Sequence, residues 1–401
     1  MRLGYLVPEF PGQTHVFFWR EIQALRRAGD EIFLVSTTQP PASATTHEFA
    51  PVAISQTKYL FPPSPAGLGQ WALGGLRGLT HGLSYIRRIQ DRSLAGRVRQ
   101  LALLLLAADL VDWARKNGID HIHGHSCADS AHILALAHRM GGPPYSLTLH
   151  GDLGVYGSDH LLKAEHATRV FAVGRHLRQQ LCGIGVDNEK IVETFMGVNT
   201  GELAKLGSAR DMHRAELRLV TVARLDPSKG HLHVLIAIAR ARDAGIKVRY
   251  RIAGQGYFRD AIASKINMLG LSDCVDLCGT VSEMQVYSLL SNSDVFVLAS
   301  TGEGEAWPVS VMEAMGAGLP VICSEIGATA QMITSGVDGI LVRQGDDDAI
   351  FRAICSLAGD IEMRERLGKA ARQAAIKRFD VAASARVLRQ AIAAPQPDRV
   401  S

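Results

Sequence analysis

Apolar positions along the chain follow two periods. Short runs rich in Val, Ile, Leu and Phe alternate with longer stretches in which apolar residues recur every three or four positions. That alternation predicts βαβ units and a parallel sheet covered on both faces. The rhythm occurs twice. In the first half a strand is predicted over 3–7, then a Pro/Gly turn (Pro8, Pro11, Gly12) and an amphipathic helix from about Thr14 that buries Phe17, Phe18, Ile22 and Leu25. Further strands follow at 31–36, 121–125, 145–150 and 170–173, with a helix over 128–139. The second start is the strand 218–223, a turn at Asp226–Pro227 and a helix over 232–244. Strands at 248–253, 275–277, 295–298 and 320–323 come next, separated by helices from about Arg259, Met284 and Pro308.

The fold class is therefore α/β, with two Rossmann-like, doubly wound parallel-sheet domains. The polar stretch 199–216, with Gly201, Gly207 and Ser208, reads as the linker, giving domains at 1–205 and 206–375. After Ile361 a charged helix breaks at Phe379–Asp380, and a last helix ends before Pro395, leaving PQPDRVS as a disordered tail. Six prolines between 40 and 65 predict loops. Beyond them Arg77, Arg87, Arg88, Arg92, Arg97 and Arg99 face a single acid, Asp91, and are interleaved with Trp71, Leu83, Tyr85, Ile86, Ile89 and Leu94. That composition suits either a solvated helix face or peripheral contact with an anionic membrane.

Composition narrows the function classes. At 401 residues, 47% apolar and 20% charged, the chain has the balance of a folded globular protein. A formal charge of +4 is too mild to point to nucleic acid, so no nucleic-acid partner is expected. The six cysteines are scattered, as in a protein kept reduced in the cytoplasm. The start MRLGYLVPEF lacks the apolar core of an export signal, and the run LALLLLAADLV is about half the roughly 20 residues a membrane span needs. A cytoplasmic protein able to work at the inner face of the membrane is expected.

Chemistry concentrates in GEGEAWPVSVMEAMGAGLPVI, residues 302–322, directly after the strand VFVLAS. Pro308 favours the first helical turn, which leaves Glu305 in the preceding loop and places Glu313 more than one turn inside. The segment Ala306, Trp307, Pro308 and Val309 then forms a helix N-terminus, an anion site suited to a diphosphate. Carboxylates beside it repel phosphate but suit hydroxyls. The combination points to a nucleotide-sugar.

At this point the sequence resembles the retaining GT-B glycosyltransferases of family 4, whose mark is Glu, seven residues, Glu, here Glu305 and Glu313. The likeness extends to VARLDPSKG (222–230), RIAGQGYFRD (251–260), LSDCVDLCGTVS (271–282), LPVICSEIGA (319–328) and DGILVRQGD (338–346). The opening YLVPEFPGQTHVFFWREI is similar to members that build bacterial exopolysaccharides, the colanic-acid type included. The resemblance implies two Rossmann-like domains facing across a cleft, with the segment 376–401 returning to the first.

It also implies roles. Arg224 and Lys229 match the pair that holds the donor diphosphate, Glu313 the acid on the ribose, Glu305 the acid near the transferred sugar, and His150 a histidine that contacts that sugar. Gly12 matches a close backbone approach to the diphosphate. The implied partners are a nucleoside-diphosphate sugar and a saccharide or lipid-linked acceptor, with no metal and no further cofactor. Two positions depart from the family pattern: Ala306 stands where glycine is usual, and Gln331 where an acid is frequent.

Rival readings remain open. His121, His123 and His125 alternate on one strand face, with Cys127 and His132 near in sequence, which invites zinc, yet alternate residues sit about 7 Å apart unless the strand bends. Gly254 and Gly256 form part of a dinucleotide fingerprint without its third glycine. A two-lobed solute receptor would need export, and a catalytically silent sugar-binding relative would fit the same fold.

Overall fold

The computed structural model describes residues 1–63, 75–206, 215–302 and 307–394. Trp71, Gly207, Ser208 and the tail 395–401 lie outside these described residues. The chain forms two compact units, Met1–Phe195 with Ser384–Ser401, and Met196–Ala383.

In the first unit the described strands are β1 (Arg2–Leu6), β2 (Glu31–Ser36), β3 (Thr57–Tyr59), β4 (His121–His125), β5 (Tyr145–Leu149), β6 (Val170–Val173) and β7 (Ile191–Thr194). They make one seven-stranded sheet in the order β3-β2-β1-β4-β5-β6-β7, with parallel pairing throughout. Tyr5 sits opposite Leu34 on one side and His123 on the other. Strands β4 and β5 are buried along their whole length, as both faces of a parallel sheet must be. The helix Val16–Arg27 buries Phe18, Ile22 and Leu25 as expected, whereas Phe17 is only partly buried.

The leucine-rich run forms part of a helix, Leu94–Lys116, opened by Ser93, whose side chain accepts from the Gly96 amide. Its middle buries Leu103, Leu104, Ala107 and Leu110 in the core. Among the described residues no helix is long and apolar enough to cross a membrane. Tyr85 and Ile89, expected on sequence grounds at a membrane surface, are instead core residues at 0% and 3% exposure. Their apolar bulk completes the packing beneath the sheet.

In the second unit β8 (Leu217–Val222), β9 (Val248–Ala253), β10 (Val275–Gly279), β11 (Val295–Leu298), β12 (Val321–Ser324) and β13 (Ile340–Val342) form a parallel sheet in the order β10-β9-β8-β11-β12-β13. Val297, Tyr250, Ile252, Ile238 and Leu357 lie in its core. The segment Thr200–Leu206, part of the linker expected from sequence, is a helix whose Leu203 is fully buried and close to Gly316. The division between units accordingly falls between Phe195 and Met196. The helices Ile361–Arg378 and Val381–Ala393 break where the Val198 amide donates to the Phe379 carbonyl at 2.8 Å.

Each sheet reverses its strand order once, between β1 and β4 in the first unit and between β8 and β11 in the second. Loops leaving the carboxyl ends of strands diverge at such a point and open a crevice for ligands.

Candidate functional site

In the second unit two loops meet at the reversal. Arg224 is exposed, two residues beyond β8. Asp226 accepts from the amide and hydroxyl of Ser228 at 2.9 and 2.7 Å, which starts the short turn Pro227–Lys229. The hydrogen bonds from Ser228 also hold the Asp226 carboxyl below its usual range. Gly230 follows with φ of 66°, and a Cβ there would lie 1.7 Å from the Ala299 carbonyl oxygen. Only glycine lets this turn press against the end of β11. The Thr301 amide then donates to the Ser228 carbonyl at 2.7 Å, tying the Lys229 loop to the loop that carries the acidic motif.

That second loop enters the helix Val309–Gly316. Pro308 is the capping residue with extended backbone (φ −67°, ψ 107°), one position earlier than the first-turn placement the sequence suggests. A proline has no amide to lose there, so the start of the helix moves by one residue without cost. Trp307 packs edge-on against Phe379 at 5.7 Å, and its indole nitrogen is buried without a hydrogen-bond partner. Glu313 lies inside the helix at 6% exposure. Glu305 and Ala306 lie outside the described residues. Arg224, Lys229, Trp307, Pro308, Val309 and Glu313 thus belong to the two loops and one helix that flank a single strand reversal.

Gly254 and Gly256 serve the same corner. Added Cβ atoms would fall 1.9 Å from the Ala223 oxygen and 2.2 Å from the Leu225 oxygen. Their glycines allow close approach to the chain leaving β8, which accounts for the partial fingerprint without a dinucleotide.

The first unit has its own crevice of about 600 Å³, lined in part by Gly12, His15, His125, Ser126, His150 and Tyr156. The Gly12 amide donates to His15 Nδ1 at 2.9 Å, and a Cβ at Gly12 would come 3.1 Å from that ring. The close neighbour of Gly12 is thus a side-chain ring on the same turn. His150 follows β5; its backbone amide donates to the Tyr156 hydroxyl at 2.9 Å, and its Nε2 lies 2.9 Å from His125 Nδ1. Burial, more than any neighbour, lowers both His125 and His150 to about 3, so both rings are neutral near pH 7.

Two of the three alternating histidines of β4, His121 and His123, are accounted for by hydroxyls. Ser146 Oγ lies 2.9 Å from His121 Nε2 and 2.8 Å from His123 Nδ1, and Thr148 Oγ1 lies 2.9 Å from His123 Nε2. His132 bonds to the Tyr85 hydroxyl at 2.9 Å instead of joining them. One carboxylate does: donor atoms of Glu21, His123 and His125 all fall within 4.8 Å of one another. Both ring nitrogens of His123, however, already meet hydroxyl groups. Glu21 escapes the sequence reading, although a charged residue set among the buried Phe18, Ile22 and Leu25 of an amphipathic helix is a usable signal.

Residues 213–374 match the family described as glycosyl transferases group 1, and residues 15–202 match glycosyltransferase family 4. Amylovoran biosynthesis glycosyltransferase AmsK of Erwinia amylovora is 33% identical over 192 residues, 46% of each chain. A putative colanic acid biosynthesis glycosyltransferase of Salmonella typhimurium, WcaL, is 32% identical over 182 residues, 43% of each. The chain spans somewhat under half the length of these curated relatives in the matched region. Among solved structures, Anabaena HepE in complex with UDP-glucose aligns with a TM-score of 0.72 at 18% identity, over 97% of this chain and 99% of that one. A glycosyltransferase of Rickettsia africae aligns equally well, at 0.72 and 17% identity over 98% and 99%. These likenesses give the fold as GT-B.

Proposed function

The chain belongs to the family 4, group 1 glycosyltransferases, and from that membership we propose that it transfers a hexose from a nucleoside-diphosphate sugar to a saccharide or lipid-linked acceptor with retention of anomeric configuration. The observation that carries the reading is the tie between the Arg224–Lys229 loop and the loop entering the helix Val309–Gly316. Two fixed cations beside a helix N-terminus form a binding place for a diphosphate, and they stabilise the charge that develops as it departs. This lets side chains and backbone dipoles do what a metal would otherwise do. Glu313 takes the ribose hydroxyls and Glu305 approaches the transferred sugar; in the first unit, His150 offers a neutral ring to a sugar hydroxyl in its own crevice.

Retention fits a displacement on one face of the sugar. The bond from the anomeric carbon to the diphosphate oxygen breaks, the bond to the acceptor oxygen forms, and the acceptor's hydroxyl proton passes to the departing diphosphate. The acceptor class is supported by the amylovoran and colanic acid assignments of the relatives.

The test is incubation of the purified protein with UDP-, GDP- and ADP-sugars, following anomeric protons by NMR. One donor should be hydrolysed slowly, or transferred when an acceptor is supplied, with its configuration kept. Inversion would overturn the retaining chemistry. Binding without any turnover would leave a sugar-binding module of the same fold, and no binding at all would remove the reading.

A further inference from the structure

A line of polar groups runs from the core of the first unit to its crevice. The Tyr5 hydroxyl donates to Glu21 Oε1 at 2.7 Å; the same oxygen lies 3.4 Å from His125 Nε2, an electrostatic approach outside hydrogen-bond geometry, so that this buried nitrogen also lacks a hydrogen-bond partner; and His125 Nδ1 lies 2.9 Å from His150 Nε2. At its end His150 Nδ1 is buried with no hydrogen-bond partner in the protein. Phe17 and Phe18 pack against the His150 ring at 5.3 Å, so the imidazole is held in place.

Two neutral imidazoles that face each other nitrogen to nitrogen share one proton, and the chemistry at the far end decides which carries it. A carboxylate only accepts. Glu21 therefore favours the proton on His125 Nε2, which leaves His125 Nδ1 as a lone pair. His150 must then donate through Nε2, and its Nδ1 is left bare. We propose that Glu21 and His125 are positioning residues that fix the tautomer of His150, so that Nδ1 presents an acceptor to a hydroxyl of the sugar bound in this crevice. The assignment rests on the reading of His150 as a sugar contact. It explains why a charged residue sits on the buried stripe of the helix Val16–Arg27, and why His150 Nδ1 finds no partner within the protein.

Glu21→Gln keeps the shape and removes the charge; with its NH2 in the place of Oε1 it donates both to the Tyr5 hydroxyl oxygen and to His125 Nε2, which turns both rings to the opposite tautomer. Long-range proton–nitrogen NMR of the ring nitrogens reads this directly. In the parent protein His150 Nδ1 should resonate as a bare nitrogen and Nε2 as a protonated one; in E21Q the two should exchange roles or mix. Turnover should fall about tenfold to a hundredfold at an unchanged melting temperature, the scale of leaving one buried polar group mismatched, and Glu21→Asp should recover part of it. A parent spectrum with protonated Nδ1, or nitrogen shifts that ignore the E21Q change, would overturn the proposal. So would zinc-induced shifts of His123 and His125, which would assign the cluster to a metal. If the parent turns over no nucleotide-sugar, the transferase reading fails by itself, while the nitrogen shifts still decide the tautomer.

Discussion

Lys229 and Arg224 differ from the many other basic residues only in where they stand: beyond β8, in a turn fastened by Asp226 and by the Thr301–Ser228 hydrogen bond. Removing one such contact to a diphosphate should cost roughly 2–4 kcal/mol of transition-state stabilisation, so Lys229→Ala or Arg224→Ala should lower kcat by about two to three orders of magnitude with the melting temperature kept. Glu313→Ala should chiefly weaken donor binding, seen as a raised KM. The opposite signature belongs to Gly230. With positive φ and a carbonyl 1.7 Å from any added Cβ, Gly230→Ala should destabilise the second unit by about 3 kcal/mol or more, visible in thermal melting before any assay. The motif residues were legible because their spacing is local. Glu21 and Tyr5 were not, since only the sheet and its covering helix bring them to His125.

At the scale of elements the apolar periods located most strands to within a residue, because strands buried on both faces read as continuous apolar runs. The misses, β3, β7 and β13, are edge strands of only three or four residues with little apolar run of their own. The helix Leu94–Lys116 carries a feature its sequence concealed: Leu94, Val98 and Leu101 recur on one face and are 81%, 65% and 54% exposed. Arg87, Arg92 and Arg97 are exposed near this end, whereas Arg88 pairs with Glu165 at 2.7 Å and Arg99 with Asp129. An apolar stripe beside cations suits the headgroup level of an anionic leaflet, where each cation adds about 1 kcal/mol. Sedimentation with vesicles should show association that needs anionic lipid and weakens as salt rises. Val98→Ser with Leu101→Ser should abolish it, and association indifferent to both changes would leave the stripe a solvent face.

At the scale of the whole molecule the two units differ in how they should meet acid. Burial holds His125 and His150 at about 3, and His15, His121 and His132 at about 4, all of them in the first unit. Each is neutral when folded but takes a proton near pH 6.5 when unfolded, so the unfolded chain binds more protons below that value. The stability is complete above pH 6.5 and is lost as pH falls toward 4, with a slope of up to about 1.4 kcal/mol per pH unit for each histidine. Calorimetry at pH 7.5 and 5 should show a first-unit transition that moves down well ahead of the second; equal movement would contradict the burial. The doubled α/β rhythm made this two-unit plan readable, but the division at residue 195 depends on Leu203 packing beside Gly316, a long-range contact no local period announces. The loops at the β8–β11 reversal are proposed to bind the diphosphate of a nucleotide-sugar. Calorimetric titration of the parent protein and of Lys229→Ala with the same nucleotide-sugars tests it most directly: the parent should bind one of them, and the variant should bind it at least about tenfold more weakly while melting at the same temperature, since a charged contact to phosphate is worth roughly 1.5–3 kcal/mol. Equal affinity in the two proteins, or no binding by the parent, would contradict it.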